Sequence, residues 1–101
     1  MRKFGLIGFP LGHSFSKKFF TAKFENENID ARYDLYELEN ISLFADLKLN
    51  PDLYGLNVTI PYKEKVIAFL DELDDTAQKI GAVNVIKFIR AESGLRLKGY
   101  N

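Results

Sequence analysis

Tyr54-Gly55-Leu56-Asn57-Val58-Thr59-Ile60-Pro61-Tyr62-Lys63 is the stretch from which the fold can be read. Its first half, Tyr54 to Val58, is short and mostly apolar and predicts a buried strand. Pro61 then stands where a helix should begin. It has no N–H to lose at a first helical position, and it biases Ile60 toward an extended conformation. The spacing predicts a helix from Pro61 that carries Val66, Ile67 and Phe69, with Lys63 in its first turn.

Working outward, the same alternation recurs. Lys3 to Phe9 reads as a strand stopped by Pro10-Leu11-Gly12, and Ser16 can cap a helix running to about Asn28 with Phe15, Phe19, Phe20, Ala22 and Phe24 near one side. Ala31 to Leu35 alternates as a second strand, and Leu43, Phe44 and Leu47 suggest a short helix closed by Asn50-Pro51. Downstream, an acidic-started helix from Asp74 to Ile80 ends at Gly81, a good left-handed terminator. Val83 to Ile89 reads as a strand, and Ser93-Gly94 turns into Leu95 to Tyr100. Strand–helix alternation predicts an α/β fold, a three-layer sandwich with a mainly parallel sheet and a terminal antiparallel hairpin. No linker or repeat divides the chain, so residues 1–101 are expected to form one domain.

Composition narrows the function. Hydrophobic residues at 47% and charged residues at 28% describe a globular chain. Fourteen basic and 14 acidic residues cancel, so neither nucleic acid nor an acidic membrane is an expected partner, and any bound anion needs a local site. The absence of cysteine removes thiol chemistry and Cys-based metal sites, and a single histidine, His13, excludes a multi-histidine site within one chain. Met1 to Leu11 superficially resembles a signal peptide, but Gly5, Gly8 and Pro10 interrupt a short apolar run without a cleavage site. With no stretch near the ~20 apolar residues of a spanning helix, a soluble, cytoplasmic protein is expected.

Ligands of such folds gather at the carboxyl ends of strands, and three segments belong there. Gly8 to Ser16 faintly echoes a phosphate loop, but a spacer is missing and His13 replaces the lysine; no Gly-x-Gly-x-x-Gly occurs either. What remains is Ser14 and Ser16 at a helix amino end, suited to a carboxylate through free N–H groups and a partial positive charge. The plainer reading makes Ser16 a cap and Ser14 a loop hydroxyl. In the second segment Asn57 and Thr59 bring an amide and a hydroxyl to a strand end. Lys63 defies the usual preference for acids in a first turn, which suits a proton donor or acceptor; the alternative is a solvated lysine. In the third, Gly81-Ala82-Val83-Asn84, a buried Asn84 amide needs a partner, either a ligand hydroxyl or a neighbouring loop. Asp71, Glu72, Asp74 and Asp75 read as a solvated helix start rather than a metal site.

Ser14-Phe15-Ser16, Asn57-Val58-Thr59-Ile60-Pro61-Tyr62-Lys63 and Gly81-Ala82-Val83-Asn84 together resemble, in order and spacing, the amino-terminal substrate-binding domain of shikimate dehydrogenases. The Asn-Val-Thr-x-Pro-x-Lys segment is highly specific; the Ser-x-Ser pair alone is weak. The resemblance implies that Ser14 and Ser16 hold the substrate carboxylate, that Thr59 and Asn84 contact ring hydroxyls, and that Lys63 is catalytic in proton transfer while Asn57 supports the site. The implied reaction is the reversible reduction of 3-dehydroshikimate to shikimate with NADPH in aromatic amino-acid biosynthesis, with no metal.

The family continues past Gly-x-Asn with Thr-Asp, a glycine-rich NADP loop, a second domain and carboxy-terminal helices that fold back on the first; Asn101 precedes all of these. The resemblance therefore implies that NADP is held outside this chain, that the chain alone lacks turnover, and that uncovered apolar surface favours self-association. A quinate/shikimate dehydrogenase domain and a non-catalytic cyclic hydroxy-acid binding module are the alternatives.

Overall fold

The computed structural model describes residues 1–12 and 15–101. Its elements are β1 (Arg2–Gly8), α1 (Phe15–Asn26), β2 (Ala31–Glu37), α2 (Phe44–Leu47), β3 (Leu53–Val58), β4 (Glu72–Leu73), α3 (Asp75–Ile80), β5 (Val85–Ala91) and β6 (Gly94–Tyr100). Short 3₁₀ turns occupy Ile41–Leu43 and Lys65–Phe69. One sheet of six strands runs in the order β2-β1-β3-β5-β6-β4. β1 is parallel to both β2 and β3, and β4 is parallel to β6; β5 is antiparallel to β3 and to β6. The expected α/β architecture, mainly parallel with a closing β5–β6 hairpin, is therefore present.

Strand alternation divides side chains between the two faces. Ile7, Leu56, Val58, Ile86 and Leu97 turn to one face and form the core with Phe44 of α2, Val66 of the second 3₁₀ turn and Ala77 of α3. Each large side chain buried there stabilises the domain by about 1.5–3 kcal/mol. α1 covers only the β1–β2 half of the other face. Phe20 stacks on Tyr33 at 4.9 Å and Phe24 meets Phe4 at 5.9 Å, whereas Phe15 and Phe19 face solvent, so only part of the expected stripe packs. Beside α1 an open groove of about 690 Å³ runs across β3, β5 and β6, lined by Phe4, Phe24, Tyr54, Val85 and Tyr100 among others.

Four expectations need correction. The helix foreseen from Pro61 does not form. The Ile60–Pro61 peptide is cis, Tyr62 N–H donates to Thr59 O at 3.0 Å to close a tight turn, and only Lys65–Phe69 is helical, as a 3₁₀ turn. The turn carries the Tyr62 ring inward to 3% exposure. Burying a ring outweighs helix preferences of a few tenths of a kcal/mol per residue. Second, α1 starts at Phe15, so Ser16 lies inside its first turn instead of capping it. Third, the short β4 beside β6 was not foreseen. Two residues are too few to display a period. Fourth, the acidic cluster is not a merely solvated helix start. Asp74 caps α3 by accepting from Ala77 N–H at 2.8 Å, Asp71 accepts from Leu97 N–H at 2.6 Å, and Glu72 pairs with Arg96 at 3.0 Å. Gly81 ends α3 in the left-handed region as expected, φ 77°. No helix among the described residues is long and apolar enough to cross a membrane.

Candidate functional site

β1 and β3 run parallel, so their carboxyl ends lie at one rim of the sheet. β5 runs opposite to β3, which brings the start of β5, with Asn84 just before it, to that same rim. The sequence-predicted segments meet there through backbone hydrogen bonds. Thr59 N–H donates to Ile7 O (3.0 Å) and Phe9 N–H to Ile60 O (3.2 Å), joining the first segment to the second. Val58 N–H donates to Asn84 O (2.8 Å) and Val83 N–H to Lys63 O (2.7 Å), joining the second to the third. Gly8 permits the closest of these approaches: a Cβ there would sit 2.5 Å from Thr59 Cγ2 and 2.8 Å from Leu11 Cδ2.

Each candidate can now be located. Thr59 and Asn84 are half-buried, one on the turn leaving β3 and the other on the approach to β5. Lys63 has an exposed side chain on a backbone held by Val83. Because it is not in a helical first turn, the helix-field argument for its proton falls away, and its case rests on the motif and its place at the rim. Ser16 is half-buried in the first turn of a twelve-residue helix with no acidic residue in that turn, a position whose free N–H groups suit an anion. Ser14 and His13 lie outside the described residues.

Three residues that sequence reasoning passed over support this arrangement. Tyr62 donates its hydroxyl to Leu38 O, tying the lysine turn to the end of β2. Glu37 accepts from Leu11 N–H at 3.3 Å and holds the loop after β1. Tyr33, 3% exposed, donates its hydroxyl to Asn57 Oδ1 at 2.9 Å. Burial pushes the Tyr33 hydroxyl up to about 12, and a hydrogen bond with the Ser16 side chain pulls the other way. Alternation in β2 could have flagged Tyr33 as inward-facing; nothing local announces where its oxygen goes. Asn57 belonged to the motif as support, and its carbonyl is now seen committed to Tyr33.

Ser16 in the first turn of α1 and Thr59, Lys63 and Asn84 at the rim of the sheet offer hydroxyls, an amide and an ammonium, groups able to hydrogen-bond a polar small molecule. Residues 6–86 match the family described as the shikimate dehydrogenase substrate binding domain. A shikimate dehydrogenase (NADP(+)) of Methanosphaera stadtmanae is 42% identical over 99 residues, which cover 96% of this chain and 34% of that protein. Among solved structures, the dehydroquinate dehydratase and shikimate dehydrogenase portion of S. pombe AroM superposes with a TM-score of 0.94 at 39% identity, covering 99% of this chain and 19% of that one. The shikimate 5-dehydrogenase of Thermus thermophilus, in complex with NADP(H) and shikimate, gives 0.84 at 32% identity, covering 100% and 38%. The chain thus spans about a third of the length of the single-enzyme relatives it matches. In sequence and in backbone alike, this chain belongs to the shikimate dehydrogenase substrate-binding domain family.

Proposed function

We propose that residues 1–101 form the substrate-binding domain of an NADP-dependent shikimate dehydrogenase, a cytoplasmic enzyme interconverting 3-dehydroshikimate and shikimate. Ser14 and Ser16 hold the substrate carboxylate, Ser16 from the first turn of α1, and Thr59 and Asn84 hydrogen-bond ring hydroxyls. Lys63 gives a proton to the ring oxygen as the ketone is reduced and takes it back in the reverse direction. The observation that carries this reading is the knitting of the Asn57–Lys63 and Gly81–Asn84 segments by the Val58–Asn84 and Val83–Lys63 backbone bonds, with Thr59 seated against Gly8.

NADP does not fit these residues. The space over Gly8, where a phosphate would approach a strand end, is filled by Thr59 and Leu11, and no Gly-x-Gly-x-x-Gly follows any strand. The cofactor belongs to a partner domain, and the 101-residue chain alone turns over no substrate. The open groove beside α1 leaves Tyr54 44% and Val85 38% exposed, and that surface drives self-association of the isolated domain. A clean monomer in sedimentation across the micromolar range would count against this.

The functional test is a shikimate titration followed by amide NMR on the chain and on Lys63→Ala. Shifts centred on Ser14, Ser16, Thr59 and Asn84, weakened by the substitution, are expected. A folded domain that ignores millimolar shikimate but responds to quinate would overturn the substrate assignment.

A further inference from the structure

We propose that two copies of this chain pair face to face, the α1 ridge of each filling the open groove of the other. The inference rests on the self-association proposed above and names the surfaces that meet.

The open face is charged as well as apolar. β5 and β6 set Lys87 directly opposite Lys98, a pairing of like charges that a sheet ordinarily disfavours. Among the described residues neither lysine has an ion-pair partner. Lys98 Nζ lies 5.3 Å from the centre of the Tyr100 ring, and Glu72, beside Lys98 in register on β4, is engaged by Arg96 at 3.0 Å. A groove lined by Tyr54, Val85, Lys87 and Tyr100 therefore suits an apolar body that brings a carboxylate with it. α1 has that composition. It turns Phe20 and Phe24 toward its own sheet, while Lys17 and Thr21 face a cleft beside Leu35 of β2. Phe15, 82% exposed, and Phe19, 49% exposed, are on the flank toward β3, and Ala22 and Glu25 are exposed on the outward side.

Register shows how the copies fit. α1 lies over β2 and β1, and β3 and β5 come next in the sheet. A two-fold axis parallel to the strands, above the boundary of β1 and β3, turns one sheet face down on the other. Each α1 then lies above β3 and β5 of the other copy. The two helices run side by side two strand spacings apart, roughly 10 Å, which is the interaxial distance of packed helices. Phe15 and Phe19 of both copies meet between them, and Lys23, next on that flank, is already paired with Glu27 at 3.0 Å. Such a rotation keeps every residue at its own level along the strands. Phe24 meets Phe4, and Phe4, Gly55, Lys87 and Lys98 are successive partners across β1, β3, β5 and β6. Glu25, next to Phe24, thus arrives at the level of Lys87 and Lys98 of the other copy, and symmetry makes that contact twice.

The experiment is sedimentation equilibrium of the 101-residue chain, from micromolar to near-millimolar concentration, at low salt so that charge pairs are not screened. It compares wild type, Phe15→Ser, Glu25→Lys, Lys87→Glu and the last two combined. All three positions are exposed, so amide NMR spectra should show each variant folded. Wild type is expected to reach twice the monomer mass and no more, as a closed pair must. Phe15→Ser should weaken pairing at least about tenfold. Each charge reversal should weaken it about fivefold, and combining them should restore it to within about threefold of wild type. A dimer that ignores both reversals, or a mass that climbs past two copies, overturns the proposal while self-association stands. A wild-type chain that is monomeric throughout removes both, and leaves the groove to a helix from another segment or protein. Shikimate titration reads the rim separately, so neither result bears on the substrate reading.

Discussion

Replacing Gly8 by alanine tests the packing that unites the strand ends. Gly8 is buried at the end of β1 and its φ is not positive, so alanine pays no left-handed penalty there. What it meets is steric: an added Cβ would lie 2.5 Å from Thr59 Cγ2, 2.8 Å from Leu11 Cδ2 and 3.0 Å from the Ile60 carbonyl oxygen. Normal contact begins near ~3.5 Å, so Thr59 must withdraw by roughly 1 Å. The Leu11 side chain can rotate, but Ile60 O is backbone and already accepts from Phe9 N–H at 3.2 Å. Overpacking of a filled site costs about 1–3 kcal/mol, and the stiffer unfolded chain returns about 0.4–1 kcal/mol. The net loss should be about 1 kcal/mol, a sizeable share of the stability of a small domain. Gly55→Ala is the control, since its nearest contact would be 3.3 Å to a Phe4 ring carbon that can yield; it should stay within about 0.5 kcal/mol of wild type. Urea unfolding followed by far-ultraviolet circular dichroism should place the Gly8→Ala midpoint roughly 0.5–1 M lower, with the control near wild type. Equal midpoints for the two variants would refute the close approach of β1 and the Thr59 segment.

Three further outcomes are expected. Lys63→Ala should lower turnover by about 10²–10⁴-fold in an enzyme carrying this domain while leaving the urea midpoint unchanged, because the side chain is exposed; steady-state kinetics beside an unfolding curve checks both halves. The Tyr33 hydroxyl is raised from 10.0 to about 12 in the folded chain, so its contribution to stability is complete below about pH 10 and is lost as pH rises through about 12. Urea titrations from about pH 9 to 12 should show a steeper decline than in Tyr33→Phe, where the Tyr36 hydroxyl, also raised by burial, still contributes; identical slopes for the two proteins would contradict it. Asp74→Ala removes the acceptor 2.8 Å from Ala77 N–H and should cost about 1 kcal/mol, measured the same way.

Much of this was readable from local pattern. Strand and helix order followed from hydrophobic period, and the bounds of α3 at Asp74 and Gly81 followed from residue type alone. What stayed hidden was whatever a distant partner decides. The bend at Ile60–Pro61 is a case in point: locally, Pro61 is a helix starter, and only the burial of Tyr62 against Leu38 turns the chain instead. The same holds for Tyr33, whose place in β2 follows from alternation but whose hydroxyl acts two strands away.

Strand direction shows the limit most clearly. Asn84 precedes its strand, so in a purely parallel sheet it would lie at the amino-end rim, far from Thr59. Its motif was legible as a string of residues, but the string has chemical meaning only because β5 runs against β3, with Val85 opposite Asn57. The reason for that reversal lies in the connection. The segment between β3 and β5 makes a tight turn, a 3₁₀ turn, two residues of edge strand and a six-residue helix. The helix packs against β4 and β6, at the far edge of the sheet from β1 and β2. Among the described residues, no helix between β3 and β5 lies along β3 to carry the chain back to its starting end, as a parallel crossover requires. The chain therefore re-enters at the rim it left, and the turn that displaced Lys63 from a helix also brings Asn84 beside Val58.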